Sequence, residues 1–373
     1  MPLRLTPDTS YDAAIIGAGP AGSGAAIALA RAGKRVVIVE KSQFPRVKVC
    51  GEFISPAATP SLVRLLTPAQ LRGADAQRVH ELIIEFGDRR ATWAMPEPAW
   101  VLSRATLDTV LLDEARSAGV EVRQPAIVRG VEYGADHASV TLDDGSVVRA
   151  SVVLHADGKG RFDPARDTPN RAGVVGRKVQ LRVPPGGPDL SGIRMRACEG
   201  AYVGSVGVES GLVTVALVAR SSLVARFKGA ADCAADAMLS HLWPDYDPAW
   251  RETPWLSCGV AGSRFIRPGH ERSFRLGNAA AAVEPVGGEG IGLALWSGTA
   301  LADLLVSGQS LGAIQSEFAQ MYRQRLRWRR PACRAASWVL EKPRVMGALW
   351  PLLSREDHAE AVIGPWYALT GKA

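Results

Sequence analysis

Ala13 to Ile16 form a short apolar run that Gly17 ends, the length of a buried strand rather than of a helix. A helical run follows to Ala32, Gly33 stops it, and Arg35 to Val39 make a second strand closed by Glu40. The stretch after Glu40, KSQFPRVKVCGEFISPAA, is broken by Pro45, Gly51 and Pro56 and reads as a loop. Ser55 is placed to cap the next helix, with Pro56 in its first turn. Gln77 to Met95 contain extended, partly alternating runs. Ser103 and Arg104 open a helix in which Leu107, Val110, Leu111, Ala115 and Ala118 keep helical spacing until Gly119. Val120–Arg123, Ile127–Tyr133 and Ala138–Leu142 then read as strands. The turn Asp143-Asp144-Gly145 leads into a hairpin strand, Ser146–Ala150, and Ser151–Ala156 forms a further buried strand.

From Gly173 to Gly262 the texture changes. Alternating runs (KVQLRV, AYVGSVGV, LVTVALVA) predict an antiparallel sheet, with helices between Ser221 and Leu242. Arg275–Gly277 return as a strand, Gly290–Leu305 as a helix, and the remainder is helical and rich in Arg and Trp. The pattern predicts an α/β fold in which a Rossmann-like nucleotide domain (1–75, 104–172 and 266–310) is interrupted by a mainly antiparallel substrate domain (76–103 and 173–265). A helical section (311–373) completes the chain.

Composition narrows the function. Of 373 residues, 47% are hydrophobic and 22% charged, which is ordinary for a globular protein. No stretch reads as a membrane span; the apolar N-terminal run is broken by glycines and Pro20. A signal peptide with Arg4 as its charged flank is rejected, since cleavage would destroy the glycine motif. Five cysteines without a C-x-x-C pair argue against a disulfide framework or zinc site and for the cytoplasm, and the histidines show no metal-ligand spacing. The net charge of +7 is thinly spread except near the C-terminus, and no nucleic-acid-binding module is visible.

Gly17, Gly19 and Gly22 are spaced G-x-G-x-x-G between a strand and a helix. In such a turn the first glycine permits the tight bend, the second lets backbone approach a pyrophosphate, and the third lets helix and strand pack closely. The helix N-terminus favours negative charge. Glu40, 23 residues after Gly17, stands where an acid binds a ribose hydroxyl. Two later stretches join it. LHADGKG (154–160) runs from a strand into Asp157-Gly158, and RLGNAAAAVEPVGGEGIGLALWSG (275–298) carries Pro285, Gly288 and Gly290 into a helix.

These three stretches resemble the fingerprints of the flavoprotein hydroxylases of the p-hydroxybenzoate hydroxylase superfamily, in order and separation over nearly the whole chain. FPRVKVCGE (44–52) and P-x-x-G-E-G-I-x-x-A-x-x-S-G (285–298) are most similar to its geranylgeranyl reductase-like branch. The resemblance implies FAD, held by Gly17, Gly19, Pro20, Ala21, Gly22, Glu40 and Lys41. It also implies contacts from Arg46, Cys50, Gly51, Arg104, Val128, Asp157, Gly158, Asn278, Pro285, Gly288, Gly290 and Ile291. The family carries an aspartate where this chain has Asn278, which still accepts a hydrogen bond but without charge. The reductases' W-x-F-P signature is missing from GAYVGSVGV (200–208), and the halogenases' W-x-W-x-I-P is not visible. NADPH or NADH is the expected transient reductant.

For catalysis the candidates are Cys50, as proton donor or redox thiol, and Glu289, near the flavin ring or merely favouring the helix dipole. Arg46 and Lys48 are candidates for attracting an anionic group, and His155 reads as a core or rim histidine. Tyr202 and Trp296 are candidate substrate contacts; Trp93, Trp100 and Trp243 are read as core. The Arg323–Arg330 run reads as a charged helix face, with a membrane surface or an acidic carrier as the alternative contact. The expected reaction is flavin monooxygenation of a largely apolar or aromatic, possibly carrier-bound, small molecule in secondary metabolism. Reduction of an alkene or prenyl substrate, and FAD binding without turnover, are the alternatives.

Overall fold

A computed structural model describes residues 11–158, 170–261, 264–355, 364–365 and 367–369. Arg4 and the Lys159-Gly160 end of the second motif lie outside the described residues. The chain opens with β1 (Tyr11–Ile16), α1 (Pro20–Arg31), β2 (Val36–Val39), β3 (Phe53–Ile54), α2 (Thr59–Leu65) and α3 (Pro68–Gly73). There follow β4 (Gln77–Phe86), β5 (Arg89–Val101), α4 (Arg104–Ser117), β6 (Glu121–Arg123), β7 (Val128–Tyr133), β8 (Ala138–Leu142) and β9 (Val147–His155). Then come β10 (Asn170–Leu181), β11 (Ile193–Cys198), β12 (Ala201–Gly207), β13 (Val213–Arg220), α5 (Ser221–Val224) and α6 (Ala231–Leu242). Finally β14 (Leu256–Ala261), β15 (Arg264–Phe265), β16 (Gly269–His270), β17 (Ser273–Arg275) and β18 (Ala281–Ala282) precede α7 (Glu289–Val306), α8 (Leu311–Leu340) and α9 (Pro343–Leu353).

In the first sheet β17, β9, β1, β2 and β6 lie side by side and parallel. Side chains alternate across β1: Ala13 and Ile15 join the helices' core with Ile27, Leu111 and Leu295, whereas Ala14 and Ile16 meet Val128, Val140 and Val148 of the β7–β8–β9 meander. Burial on both faces explains why β1 and β2 are wholly apolar. The sequence splits residues 146–156 into two strands; they form one, β9, paired with β8 over its first half and with β1 over its second. Ser55 precedes a short 3-10 turn (Pro56–Ala58) and makes no side-chain capping bond, so that expectation fails, while Pro56 does open the turn. The helix expected to open at Ser103 and Arg104 does so, and Ser103 caps it, accepting from the Thr106 amide.

The second sheet runs β14-β10-β13-β12-β11-β4-β5-β3 and is antiparallel except for the β11–β4 pair. One face, with Val203, Val215 and Leu217, is covered by Met238 and Leu239 of α6. The other, with Leu82, Trp93, Tyr202 and Val218, faces Leu340 of α8 and Met346 of α9. Helix α7 packs on α1 so closely that a methyl group at Gly298 would lie 2.5 Å from the Ala21 carbonyl oxygen, so only glycine fits the crossing. Among the described residues α7 alone has the length and apolar character to cross a membrane, and 72% of it is buried, as in a core helix.

Candidate active site

The glycine turn is built as its spacing demands. Gly17 adopts φ +101°, and a methyl group there would come within 2.7 Å of the Ala156 carbonyl oxygen. At Gly22 the added carbon would sit 1.9 Å from the Gly17 carbonyl oxygen, so the turn and α1 touch backbone to backbone. At Gly19 it would project between the guanidiniums of Arg46 and Arg104, at 3.7 and 3.8 Å. Pro20 occupies the first turn of α1, where its missing N–H costs the helix no hydrogen bond because that position has no helical partner anyway.

Two arginines therefore stand over the turn. Arg104 donates to both oxygens of the fully buried Asp108, one turn along α4, at 2.7 and 2.6 Å. Arg46 lies 3.6 Å from the same carboxylate and 3.7 Å from Glu40. Its buried Nε has no hydrogen-bond partner among the described residues. Glu40 turns back on the motif, accepting from the amides of Ala18 (2.8 Å) and Ser42 (2.9 Å). A carboxylate has lone pairs to spare for a ribose hydroxyl.

Behind the Cys50 loop lies a buried polar knot. Glu52, with φ +58° and no exposed surface, accepts from Lys178 and the Thr214 hydroxyl, from the Arg104 amide (2.8 Å) and from Gln180 (3.4 Å). Its own amide donates to the Cys50 sulfur at 3.3 Å. Desolvation pushes the Cys50 thiol pKa up, against the opposing pull of Arg104. Lys48 is brought down to about 8 by desolvation and by Arg46 and Arg104.

Gly17, Gly19, Glu40, Arg46, Lys48, Cys50, Glu52 and Arg104 border one cavity of about 1490 Å³. It exceeds the usual single-ligand pocket of roughly 300–1,000 Å³, so it has room for a dinucleotide and a second molecule. Of the candidate cofactor residues, Gly17, Gly19, Pro20, Ala21, Glu40, Lys41, Arg46, Cys50, Gly51 and Arg104 line it. So do Val128, Asp157, Gly158, Asn278, Pro285, Gly288, Gly290 and Ile291. Gly22 does not, in keeping with its packing role. Asn278 sits in a 3-10 turn beyond β17 rather than at a strand end. Gly288 (φ +64°) precedes α7, and Gly290 and Ile291 of its first turn, where amides lack helical partners, line the cavity.

Tyr202 lines the cavity, and Trp93, read as core from sequence, does too. Two candidates fall elsewhere. Trp296 packs edge-on against Tyr322, 5.1 Å between ring centres, with Arg325 over its face. Glu289 is 2% exposed and lies 3.7 Å from Arg329; it begins α7 on the side turned away from the cavity. The catalytic expectation for Glu289 and the substrate contact for Trp296 therefore lack geometric support. Sequence reasoning passed over Asp108, though its four-residue spacing from Arg104 was a usable signal. It also passed over the Glu52–Lys178 pair, 126 positions apart, which leaves no local signal.

Residues 10–161 match the family described as FAD binding domain. The menaquinone reductase of Mycolicibacterium smegmatis is 31% identical over 336 residues, 81% of this chain and 78% of that protein. The kynurenine 3-monooxygenase of Xanthomonas oryzae pv. oryzae is 26% identical over 354 residues, 84% of this chain and 76% of that protein. A flavoprotein/dehydrogenase from Cytophaga hutchinsonii superposes with a TM-score of 0.82 at 20% identity, covering 97% of this chain and 92% of that one.

The chain belongs to the FAD-dependent oxidoreductases of the p-hydroxybenzoate hydroxylase superfamily. It is an enzyme, so the alternative of binding without turnover is set aside. The donor set fits FAD. The α1 amides, Arg46 and Arg104 suit the pyrophosphate, Glu40 the adenosine ribose, and the Asn278 turn with the first turn of α7 the flavin end.

Proposed function

We propose that this enzyme is a flavin monooxygenase acting on a lipophilic aromatic small molecule, with NADPH or NADH as a transient reductant. The observation that carries the reading is the continuity of the cavity. It runs from the cofactor residues to a compartment walled by Leu82, Ile84, Trp93, Met95, Val206 and Val218 on the second sheet. Apolar walls of this extent select an apolar substrate and keep water from the reacting carbon. FAD, when bound, supplies the electron transfer and oxygen chemistry. The chain would bind and orient: Arg46 and Arg104 would hold the pyrophosphate, the α7 amides would serve the electron-rich end of the ring, and Tyr202 borders the substrate space.

A second reading, reduction of a carbon–carbon double bond, is favoured by one specific feature. Cys50 lies on the cavity wall with its proton retained by desolvation, so its Sγ–H is available to one carbon, leaving a thiolate, while the hydride for the other carbon would come from FAD reduced by the nicotinamide. The chain's 31% identity to a menaquinone reductase supports the same alternative. Turnover of lipophilic phenols under ¹⁸O₂ tests the two. Label in the product supports oxygenation; anaerobic turnover of an alkene substrate, with a gain of two hydrogens and no label, replaces it with reduction.

A further inference from the structure

We propose that the outer face of α8 and α9 docks this enzyme on an anionic lipid bilayer, with the apolar end of the cavity opening beside the contact. From Phe318 to Leu340 the sequence holds six arginines and no acid. Arg325 and Arg329 are turned inward, onto Trp296 and Glu289. Arg323, Arg327 and Arg334 are exposed, and Lys342, Arg344 and Arg355 extend the basic surface. The one acid among these positions, Glu341, is buried and paired with Arg220.

Charge alone would describe a solvated helix face. The aromatic residues change that. Trp328 and Trp338 are 58% and 51% exposed, and their spacing with Arg327 and Arg334 puts all four on one side of α8. Indoles left in water among arginines are the side chains of a membrane–water boundary, where the ring sits at headgroup level and the cation meets phosphate. The inward face of α8 is buried against the protein, so the apolar contribution comes from these indoles and from Leu352 and Leu369, 40% and 38% exposed. Ala335, exposed on the same side one turn before Trp338, also lines the cavity, as does Leu369. The deep apolar compartment therefore reaches the surface where the basic and aromatic groups are gathered. An acidic protein would account for the arginines but not for an apolar opening among them. The proposal stands whichever reaction the site performs.

The test is co-sedimentation of the FAD-loaded full chain with vesicles of phosphatidylcholine alone or with about one-third phosphatidylglycerol, without substrate. Binding is expected only to the anionic vesicles, falling steeply between 50 and 500 mM salt by screening, to about a tenth or less. Arg327→Glu with Arg334→Glu, and separately Trp328→Ala with Trp338→Ala, should each reduce it at least about tenfold at low salt. Both pairs are exposed and away from the cofactor residues, so flavin absorbance and melting temperature should match the parent. Equal binding to both vesicle types, or none to either, overturns the proposal without reference to any variant. A dimer in sedimentation velocity that the tryptophan variants dissolve, with no vesicle binding, assigns the face to a second copy instead.

Discussion

Asp108 holds Arg104 by two hydrogen bonds, 2.7 and 2.6 Å, from a position with no solvent exposure, and the same carboxylate lies 3.6 Å from Arg46. One buried acid thus aims two cations at the glycine turn. Asp108→Ala leaves Arg104 buried without its counter-ion, which typically costs about 3–5 kcal/mol. The expected outcome is a clear fall in the denaturant midpoint of the FAD-free protein. A smaller fall is expected in excess FAD, because the pyrophosphate takes the place of the lost charge. Equal losses with and without FAD would place the arginines off the pyrophosphate.

FAD affinity should depend on pH through Lys48. Its pKa is lowered to about 8 by desolvation and by the neighbouring arginines, so it gives up its proton as the pH passes 8. A bound pyrophosphate favours the charged form, so binding takes up a proton above that point. The dissociation constant should be flat below pH 8 and rise by up to about tenfold per unit above it. Lys48→Met should weaken binding at pH 7 and flatten the profile. Fluorescence titration from pH 6.5 to 9.5 reads both; a parent profile flat to pH 9.5 would separate Lys48 from the cofactor.

What the sequence made legible is what short-range geometry controls. The approach of Gly22 to the Gly17 carbonyl is a contact a few residues long, and its clash distance agrees with the spacing, whereas the close neighbour of Gly17 is Ala156, which a distant strand brings in. Glu289 and Trp296 stand off the cavity wall; a motif tells which turn of a helix a residue occupies. It does not tell which side a neighbouring helix covers, and α8, thirty residues on, covers both. Lys178 and Gln180 look like the polar side of an alternating strand open to water. They are 2% and 7% exposed because Glu52 arrives opposite them from another part of the chain. Trp93 is core, as its sequence suggests, and nothing local says that its sheet face also borders a cavity.

The Glu52–Lys178 pair should behave as a coupled unit. Lys178→Met alone strands a buried carboxylate and is expected to cost about 3–5 kcal/mol. Glu52→Gln alone strands the ammonium at similar expense. Together they remove both charges, and the amide introduced by Glu52→Gln can still bond Thr214 and Gln180. The double variant should therefore be clearly more stable than the sum of the single effects. Urea unfolding of the four proteins closes the cycle. Additive losses would mean that the pair contributes packing and no charge coupling.

Cys50 is where geometry and reaction meet. Desolvation raises its pKa, so at pH 8 the sulfur is a thiol with little nucleophilic thiolate, whereas Cys233 is exposed. Iodoacetamide at pH 8 should therefore modify Cys233 at least about tenfold faster, with the Cys50 rate rising only at higher pH. Because Cys50 borders the cavity, FAD should slow its labelling further and leave Cys233 unchanged, which peptide mass spectrometry resolves. The same residue then divides the two reactions. If the enzyme oxygenates, Cys50→Ala should keep labelled-oxygen incorporation within a few-fold of the parent, since no proton from Sγ is required. If it reduces a double bond, the substitution should remove the proton donor and lower the turnover number by about 10²–10⁴, with flavin reduction by the nicotinamide intact. An oxygenating enzyme that lost its activity on this change while keeping its flavin would overturn the assignment of Cys50 as a bystander to oxygenation.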